Sequence, residues 1–337
     1  MTEQDRLETV TRPSPALIED IKQLEGSIMV LGAGGKVGPS LALKAKRACK
    51  AAGITKQIIA VSKFDDPDAP ELMRQHGIQV YETDLFDPEQ LAVLPKAQNI
   101  IFMAGRKFGT TQNQDLTWAV NVLLPAKICE AFPDARIVVF STGNIYGDRP
   151  AGSGGASEAD APAPDGEYGQ TCLGRERVFS YYAKKNGTKS LMFRLNYAVD
   201  LRYGVLYDIA KNVWDGTPVK LGRGVFNCIW QGDVCEYALR GLLHTANPPV
   251  ILNVTGPETI STRWAAEEFG RIFQKTPCFE GEEQPQGIFS NTAKLNEWMG
   301  YPSVTLADMI RWQAEWVRDG APTLTAPTHF DTTDGKY

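Results

Sequence analysis

The sequence has little of what disulfide frameworks, metal sites and membrane spans require. Its six cysteines are scattered without a Cys-x-x-Cys spacing, and this pattern predicts reduced thiols in a cytoplasmic protein. Its three histidines are not paired at ligand spacing, so we expect no zinc or iron site. No apolar run approaches the ~20 residues of a membrane span. The polar, acidic start MTEQDRLETV also lacks the apolar core of a signal peptide.

Charge of one sign is not concentrated anywhere in the chain. The 35 basic and 40 acidic residues leave a net charge of −5, and no basic cluster stands out. This balance argues against nucleic acid as a partner. With 337 residues, of which 43% are hydrophobic, the chain can bury a large core in one α/β unit or in two domains.

The stretch SIMVLGAGGKVG at Ser27–Gly38 joins a short apolar run to three glycines at three-residue spacing. A helical stretch, Leu41–Lys50, follows directly, so the pattern is strand, glycine turn, helix. Gly32 permits a tight turn, Gly35 lets phosphates approach the backbone, and Gly38 lets the helix pack on the strand. This context favours dinucleotide binding at a helix N-terminus, and a purely structural glycine turn is the alternative.

Strands and helices alternate through the first 195 residues. The further predicted strands are Gln57–Ser62, Gln79–Glu82, Asn99–Ala104, Arg136–Ser141 and Ser190–Leu195. Helices are expected between them, notably at Asp115–Phe132 and Tyr168–Lys185, whereas Pro150–Gly166 is expected to be a loop. This alternation predicts an α/β fold with a Rossmann-type doubly wound parallel sheet.

We divide the chain into four regions. Residues 1–25 form an N-terminal arm, loose up to residue 13, with a short helix at Ala16–Leu24. Residues 26–195 form the NAD(P)-binding domain, and residues 196–320 form a smaller, mostly helical substrate lobe that is not independent. Its predicted helices are Val205–Trp214, Asp233–His244, Thr262–Phe273 and Leu306–Arg318. Residues 321–337 are expected to be a tail that lies over the surface.

Several motifs in a fixed order give the chain a resemblance to a known family. They are Asp84-Leu85 after strand three, Ala104-Gly105 after strand four, Asn121-Val122 on the next helix, Ser141–Gly147 (STGNIYG) at strand five, Tyr168, Glu176 and Asp233-Val234. From about Ile28 to Val317 the sequence resembles the extended short-chain dehydrogenases/reductases, the NAD-dependent epimerase/dehydratase family. The resemblance implies a homodimer through the helices 115–132 and 168–185.

The resemblance also implies roles for individual residues. It makes Thr142 the group that holds and polarises the substrate oxygen and Tyr168 the group that transfers the proton. The cofactor set, from the glycine stretch and the ends of strands two to four, is Gly32, Gly34, Gly35, Lys36, Val37, Gly38, Ser62, Lys63, Asp84, Leu85, Met103, Ala104, Gly105 and Asn121.

One position departs from the family pattern. A tyrosine with its normal pKa of ~10 is a poor base, and the family lowers that pKa with a lysine four residues on. Here Cys172 occupies the lysine position, and its role is uncertain between a reactive thiol and a small buried one. In one interpretation, another cation takes the place of the missing lysine, and the candidates are Arg175, Arg106 and Lys107.

Two other interpretations of Cys172 remain open. In the first, the protein binds the cofactor but carries out little redox chemistry. In the second, the catalytic pair is shifted to Tyr181 and Lys185, which are also four residues apart. The shifted pair lies about three turns further down the helix, away from the cofactor end.

Cofactor choice depends on the end of strand two. NAD enzymes generally carry an acid there, whereas a basic residue suits the 2′-phosphate of NADP. Ser62-Lys63 favours NADP slightly over NAD, although Lys63 is also consistent with a solvated side chain.

The substrate class is inferred from cations and from missing arginines. Arg106-Lys107 is either a surface pair or a clamp for an anion such as a carboxylate. Relatives that act on nucleotide sugars carry an arginine where this chain has Phe226, so we expect a small sugar, sugar acid or polyol rather than a nucleotide sugar. The substrate candidates are Arg106, Lys107, Asn144, Asn196, Arg202, Arg223 and Trp230, each of which could also be an ordinary packing or surface residue.

Together these features predict an NAD(P)-dependent oxidoreductase or epimerase of carbohydrate metabolism. The alternative is an NAD(P)-binding protein with little or no turnover, such as a sensor or partner subunit. Neither the substrate nor the choice among oxidation, epimerisation and dehydration follows from the sequence.

Overall fold

A seven-stranded parallel sheet forms the centre of the computed structural model, which describes residues 1–324 and 328–332. The strands are β1 Ile28–Leu31, β2 Ile58–Ser62, β3 Gln79–Glu82, β4 Asn99–Phe102, β5 Arg136–Thr142, β6 Ser190–Leu195 and β7 Val250–Val254. They lie in the order β3-β2-β1-β4-β5-β6-β7 with every neighbouring pair parallel. The prediction of a Rossmann-type doubly wound sheet is confirmed. The strand order reverses between β1 and β4, where such sheets place their ligands.

Helices cover both faces of the sheet. They are α1 Glu3–Thr11, α2 Pro15–Gln23, α3 Gly38–Ala51, α4 Asp68–Gln75, α5 Pro88–Ala92, α6 Gln114–Trp118, α7 Leu124–Ala131, α8 Gly166–Asn186, α9 Val205–Asp215, α10 Gln231–Gly241, α11 Thr262–Phe273, α12 Ala293–Met299 and α13 Leu306–Arg318. Alternate residues of β1 enter opposite cores: Ile28 and Val30 pack with α2, α3 and α10, while Met29 and Leu31 pack with α7 and α8. Strands buried on both faces explain the unbroken apolar runs in the sequence.

The N-terminal residues are ordered, so the expectation that residues 1–13 are loose is wrong. Thr2 and Asp5 form a capping box at the start of α1. The buried Arg6 on this helix donates a 2.8 Å hydrogen bond to the carboxylate of Asp200. Since a buried ion pair needs both partners, α1 is tied to the C-terminal lobe.

The helical stretch predicted at Asp115–Phe132 is interrupted. Between α6 and α7 the residues Ala119–Leu123 form a π-helical turn, and Asn121 lies within it. Single π turns inside helices are frequent at functional sites.

The second half of the chain contributes a strand to the main sheet in addition to the helical lobe. Val250–Val254, which we assigned to the substrate lobe, is β7 at the edge of the main sheet, next to β6. The remaining lobe has its own core, in which Phe226, Trp230 and Trp316 are among the largest fully buried side chains. None of the helices within residues 1–324 and 328–332 is long and apolar enough to cross a membrane.

The C-terminal residues do not simply lie over the surface. Thr328 and Phe330 are 3% and 6% exposed, and Phe330 packs into the core of the lobe, so this expectation is wrong for residues 328–332. Residues 325–327 and 333–337 of the predicted tail lie outside the described residues.

Candidate active site

A cleft of about 290 Å³ opens at the carboxyl end of the sheet, beside the point where the strand order reverses. Thr142, from the end of β5, and Tyr168, from the first turn of α8, both line it. Lys36 and Val37 of the glycine stretch and Gly105 after β4 line it as well. The fold therefore brings the predicted catalytic pair and the predicted cofactor loop to one cavity.

The glycine loop has the close backbone approaches that its three glycines predict. Gly32 has a φ of +88°, and a Cβ built there would lie 2.5 Å from the backbone nitrogen of Ala104. A Cβ on Gly38 would lie 2.2 Å from the carbonyl oxygen of Ala33, so only glycine lets α3 start there. No side chain caps the N-terminus of α3.

Gly35 shows that this loop fits a dinucleotide. A Cβ on Gly35 would meet only the carbonyl oxygen of Gly32, at 3.7 Å, so the space in front of the loop is open. The positive end of the α3 helix dipole lies beside this space and favours a pyrophosphate there. The other predicted cofactor residues from Ser62 to Asn121 surround the same edge, at the ends of β2, β3 and β4 and in the π turn.

The end of β2 carries a salt bridge. The Nζ of Lys63 lies 2.7 Å from Oδ2 of Asp84, which follows β3, and this contact holds the pKa of the Asp84 carboxyl below its usual range. Both side chains keep access to solvent, whereas Leu85 is buried in the core. The side chain of Ser62 faces Gly34, since a Cβ on Gly34 would lie 2.8 Å from its Oγ.

Asn121 holds the loop after β4 in place. Its side chain accepts from the backbone N–H of Arg106 at 2.9 Å and donates to the carbonyl of Arg106 at 2.9 Å. It also donates to Thr171 on α8 and accepts from Arg175 at 2.7 Å. Met103 and Arg106 of this loop line the cleft.

A buried ionic network lies next to Thr142. The neighbouring Ser141 donates a 2.6 Å hydrogen bond to Glu176 on α8. Arg194 on β6 binds both carboxylate oxygens of Glu176, at 2.7 and 3.0 Å, and a third bond joins Arg194 to the hydroxyl of Tyr146. Strands β5 and β6 and helix α8 are thereby linked directly beneath the predicted catalytic residue.

Cys172 is a buried neighbour of Tyr168. It is 1% exposed and packs with Ile145, Tyr146 and Ala156. Burial raises the pKa of the thiol, while the charge of Arg175 and a hydrogen bond with Tyr168 act in the opposite direction. The group in the lysine position therefore supplies no positive charge.

Lys107, on the loop after β4, places a cation in the cavity near Tyr168. Its Nζ lies 6.0 Å from the centroid of the Tyr168 ring and donates to the carbonyl oxygen of Thr328 at 3.3 Å. Burial, with the repulsion of Lys36 and Arg223, lowers its pKa to about 8. The ammonium is still the dominant form at neutral pH.

The other predicted substitutes for the lysine have different surroundings. Arg175 is buried and donates to the carbonyl of Phe140 and to Asn121, both at 2.7 Å. Tyr181 is 58% exposed near the far end of α8, and Lys185 is exposed in its last turn.

The predicted substrate residues fall into two groups. Arg106, Lys107, Asn144 and Asn196 line the cleft. The other three do not. Arg202 pairs with Asp200, Arg223 is buried with Asp148 and the carbonyl of Thr332, and Trp230 packs in the lobe core against Trp312.

Tyr203 and Thr328 are among the cleft residues that the sequence does not single out. Tyr203, in the turn before α9, and Thr328, near the C-terminus, both line the cavity. Neither lies in a motif, and both reach the site through contacts between residues distant in the chain. Lys36 was assigned to the cofactor, yet its side chain lies over the ring of Tyr203.

No protein-family model matches the sequence, and no curated protein matches it. Solved structures do. The chain is similar to the UDP-glucuronic acid 4-epimerase of Bacillus cereus in complex with NAD (TM-score 0.71, 18% identity), with 87% of this chain and 99% of that one covered. It is similar to the UDP-glucose 4-epimerase of Thermus thermophilus in complex with NAD (TM-score 0.69, 21% identity), with 87% and 99% covered.

A third structure of the same kind comes from Campylobacter jejuni. Its UDP-Glc/GlcNAc 4-epimerase matches with a TM-score of 0.71 and 19% identity, over 88% of this chain and 100% of that one. At such low identity the likeness concerns the fold, and it spans almost the whole of each relative. The chain has the fold of the extended short-chain dehydrogenases/reductases.

Proposed function

We propose that this protein is an NAD(P)-dependent oxidoreductase or epimerase of the extended short-chain type that acts on a small sugar, sugar acid or polyol. The observation that carries the proposal is the single cleft that Thr142 and Tyr168 share with the glycine loop. A bound nicotinamide would accept or return the hydride at the carbon that these two side chains address.

Tyr168 and Thr142 divide the work on the substrate oxygen. Tyr168 takes the hydroxyl proton in the oxidation direction and gives it back in reduction. The hydroxyl of Thr142, at the end of β5, holds the same oxygen by a hydrogen bond. Its Oγ1 accepts from the backbone N–H of Asn144 at 3.2 Å, so its proton is left to donate.

Lys107 is the cation that we assign to the role of the missing lysine. A positive charge near a phenol favours the phenolate and lowers its pKa. Lys107 meets this need from the loop after β4, 6.0 Å from the ring centroid of Tyr168. The guanidinium of Arg175 is already bound to a carbonyl and an amide oxygen, which makes it a positioning group for the loop.

The substrate side of the cleft supports a small ligand. Phe226, where the family resemblance implies an arginine in enzymes that act on nucleotide sugars, is 1% exposed and packs against the rings of Tyr197 and Phe330. Phe226 supplies no cation at this position, and a buried pyrophosphate needs cationic partners. The cleft volume of about 290 Å³ is at the low end for a ligand site, and Thr328 is among its lining residues.

The structural relatives favour a second candidate substrate class. All three relatives above are named as UDP-sugar 4-epimerases. We therefore keep UDP-glucose in the set of compounds to be tested.

The proposal also includes a preferred cofactor, an oligomeric state and a cellular location. NADP is favoured slightly over NAD because Ser62 and Lys63, rather than an acid, end β2. A homodimer through α6, α7 and α8 is supported by large apolar side chains that are exposed on α6, on α8 and on the π turn before α7, namely Leu116, Trp118, Leu123 and Tyr181. All six cysteines are free thiols, which supports a cytoplasmic location.

The test is turnover by the purified protein. NADP or NAD is offered with a panel of hexoses, hexuronates, polyols and UDP-glucose, and cofactor reduction and epimer formation are followed. We expect turnover with one of the small compounds and a loss of at least about 100-fold in Tyr168→Phe. Tyr181→Phe, an exposed tyrosine on the same helix, is the matched control and keeps its activity.

A protein that binds the cofactor without turnover is the rival candidate. The neutral, buried thiol of Cys172 at the lysine position favours it. Saturable cofactor binding without reaction on any compound of the panel would select this rival over an enzyme.

A further inference from the structure

The ammonium group of Lys36 is buried and has no hydrogen-bond partner within the described residues. It lies 3.2 Å from the centroid of the Tyr203 ring and 5.3 Å from that of Phe108. Aromatic faces attract a cation but accept none of its three N–H bonds in the way that oxygen does. A buried charge in this condition is costly unless a ligand completes it.

The position of the Tyr203 ring under Lys36 is fixed by hydrogen bonds in the backbone. Tyr203 and Asp200 exchange two backbone hydrogen bonds, at 2.9 and 3.0 Å, which close a tight turn before α9. The carboxylate of Asp200 is anchored in turn by Arg6 of the N-terminal helix. The ring of Tyr203, which itself lines the cleft, therefore holds the ammonium group there, whereas the backbone of Lys36 belongs to the cofactor loop.

The described lining of the cleft contains cations but no carboxylate. Lys36, Arg106, Lys107 and Arg175 line it, and neither aspartate nor glutamate does. Arg175 is bound to protein oxygens, and Lys107 donates to the carbonyl of Thr328. In a chain with a net charge of −5, such a cavity attracts anions.

We propose that Lys36 receives the carboxylate of the substrate and thereby selects hydroxy acids of the aldonate or uronate type over neutral sugars. The inference rests on the proposed function, since it names the substrate class of that site. Burial lowers the pKa of Lys36 to about 8, and Asp208 opposes this shift, so the ammonium form persists at neutral pH.

Asp208 does not take the place of the ligand. Its carboxylate accepts from both the backbone N–H and the hydroxyl of Thr328. It therefore acts on Lys36 as a nearby charge and not as a hydrogen-bond partner. An incoming carboxylate would give the ammonium its first charge-assisted hydrogen bond.

The experiment compares matched acids and neutral sugars on the cofactor-loaded protein. Binding of D-glucuronate and D-galacturonate, with D-glucose and D-galactose as neutral counterparts, is measured by calorimetry in the wild type, Lys36→Met, Lys36→Arg and Lys184→Met. Lys184 is an exposed lysine in the last turn of α8, so its variant carries the same charge change away from the cleft. Cofactor affinity is measured first, in each variant.

We expect the wild type and Lys184→Met to prefer at least one uronate over its neutral counterpart by about 10-fold or more. Lys36→Met should lose about 10- to 100-fold of that uronate affinity, and Lys36→Arg should retain part of it. Lys36→Met should also melt about 2–4 °C higher without ligand, because an unpartnered buried charge is removed.

Three results would overturn the inference. One is the absence of any uronate preference in the wild type, and another is a preference that survives in Lys36→Met. The third is a loss of cofactor affinity in Lys36→Met with uronate selectivity intact, which would assign the lysine to the pyrophosphate. In each case turnover by the wild type with any compound of the panel leaves the proposed function standing. Failure of the proposed function is seen separately, as an absence of turnover with every compound.

Discussion

The Nζ of Lys107 donates a hydrogen bond to the carbonyl oxygen of Thr328, 3.3 Å away, across a sequence separation of 221 residues. This contact holds the ammonium inside the cleft on the side of Tyr168. The C-terminal segment therefore takes part in the candidate active site, since Thr328 lines the cavity and holds the ammonium group of Lys107.

The first prediction concerns the pH dependence that Lys107 imposes. Burial, Lys36 and Arg223 lower its pKa to about 8, and Asp208 and the Cys172 thiol act against this shift. The charge that favours the Tyr168 phenolate is therefore present below this pKa and is lost as the pH rises through it. We expect kcat/KM for oxidation to fall above about pH 8.

Variants at Lys107 separate this effect from denaturation. Lys107→Arg keeps its charge at all these pH values, so the fall on the alkaline side should disappear. Lys107→Met should lower kcat/KM by about 10- to 100-fold at neutral pH and shift the rise of kcat/KM that follows ionisation of Tyr168 to higher pH. A pH profile that is identical in the wild type and both variants contradicts the assigned role.

The second prediction uses the family's own lysine. In Cys172→Lys a second ammonium would enter a buried space already close to Lys107 and Arg175. We expect activity to fall at least about 10-fold because the two lysines repel each other. The double variant Cys172→Lys/Lys107→Met should recover activity relative to either single variant, as measured by steady-state kinetics. A gain of activity in the single variant would show that Cys172 is a defect rather than part of a rebuilt site.

The third prediction tests the buried network beneath Thr142. Removing one partner of a buried ion pair leaves an uncompensated charge, so Glu176→Gln should lower the free energy of unfolding by about 3–5 kcal/mol. Glu268→Gln, at a solvent-exposed ion pair with Arg271, should change it by less than about 1 kcal/mol. Urea denaturation of the two variants measures the difference, and equal small effects would contradict the structural role of the network.

Local patterns in the sequence predict most of the sheet. The buried strands β1, β2, β4, β5 and β6 are largely unbroken apolar runs, and the glycine loop is marked by spacing that its close backbone contacts explain. The strand β7 was missed because Val250–Val254 follows two prolines and a region of irregular pattern. Helix α1 was missed although Thr2 and Asp5 of its capping box are a recognisable start signal.

The candidate site is only partly predictable for a physical reason. Thr142, Tyr168 and the departure at Cys172 lie at fixed spacings along two elements of the first domain. The neighbours of Lys36 and Lys107 are Tyr203 and Thr328, and contacts over such separations depend on how the lobe folds back. Sequence patterns identify the residue types at such positions, but they do not predict which of these side chains contact one another in the folded chain.

The fourth prediction concerns cofactor choice. Lys63 pairs with Asp84 at a partly exposed site, where a 2′-phosphate can compete for the ammonium group. We expect NADP to bind more tightly than NAD in the wild type. Lys63→Met should weaken NADP by about 10-fold and leave NAD within about 2-fold, as measured by calorimetry. Tighter binding of NAD in the wild type would contradict this preference.

The most direct test of the whole account is a calorimetric titration of NADPH and NADH into the wild type and Gly35→Leu. A side chain at Gly35 meets open space in the protein itself, so this variant should fold and yet fill the place of the pyrophosphate. Gly152→Leu, at an exposed glycine with no nearby atoms, is the control. We predict one dinucleotide per chain in the wild type and in Gly152→Leu, and none in Gly35→Leu. Absence of saturable binding to the wild type, or binding unaffected by Gly35→Leu, would contradict the account.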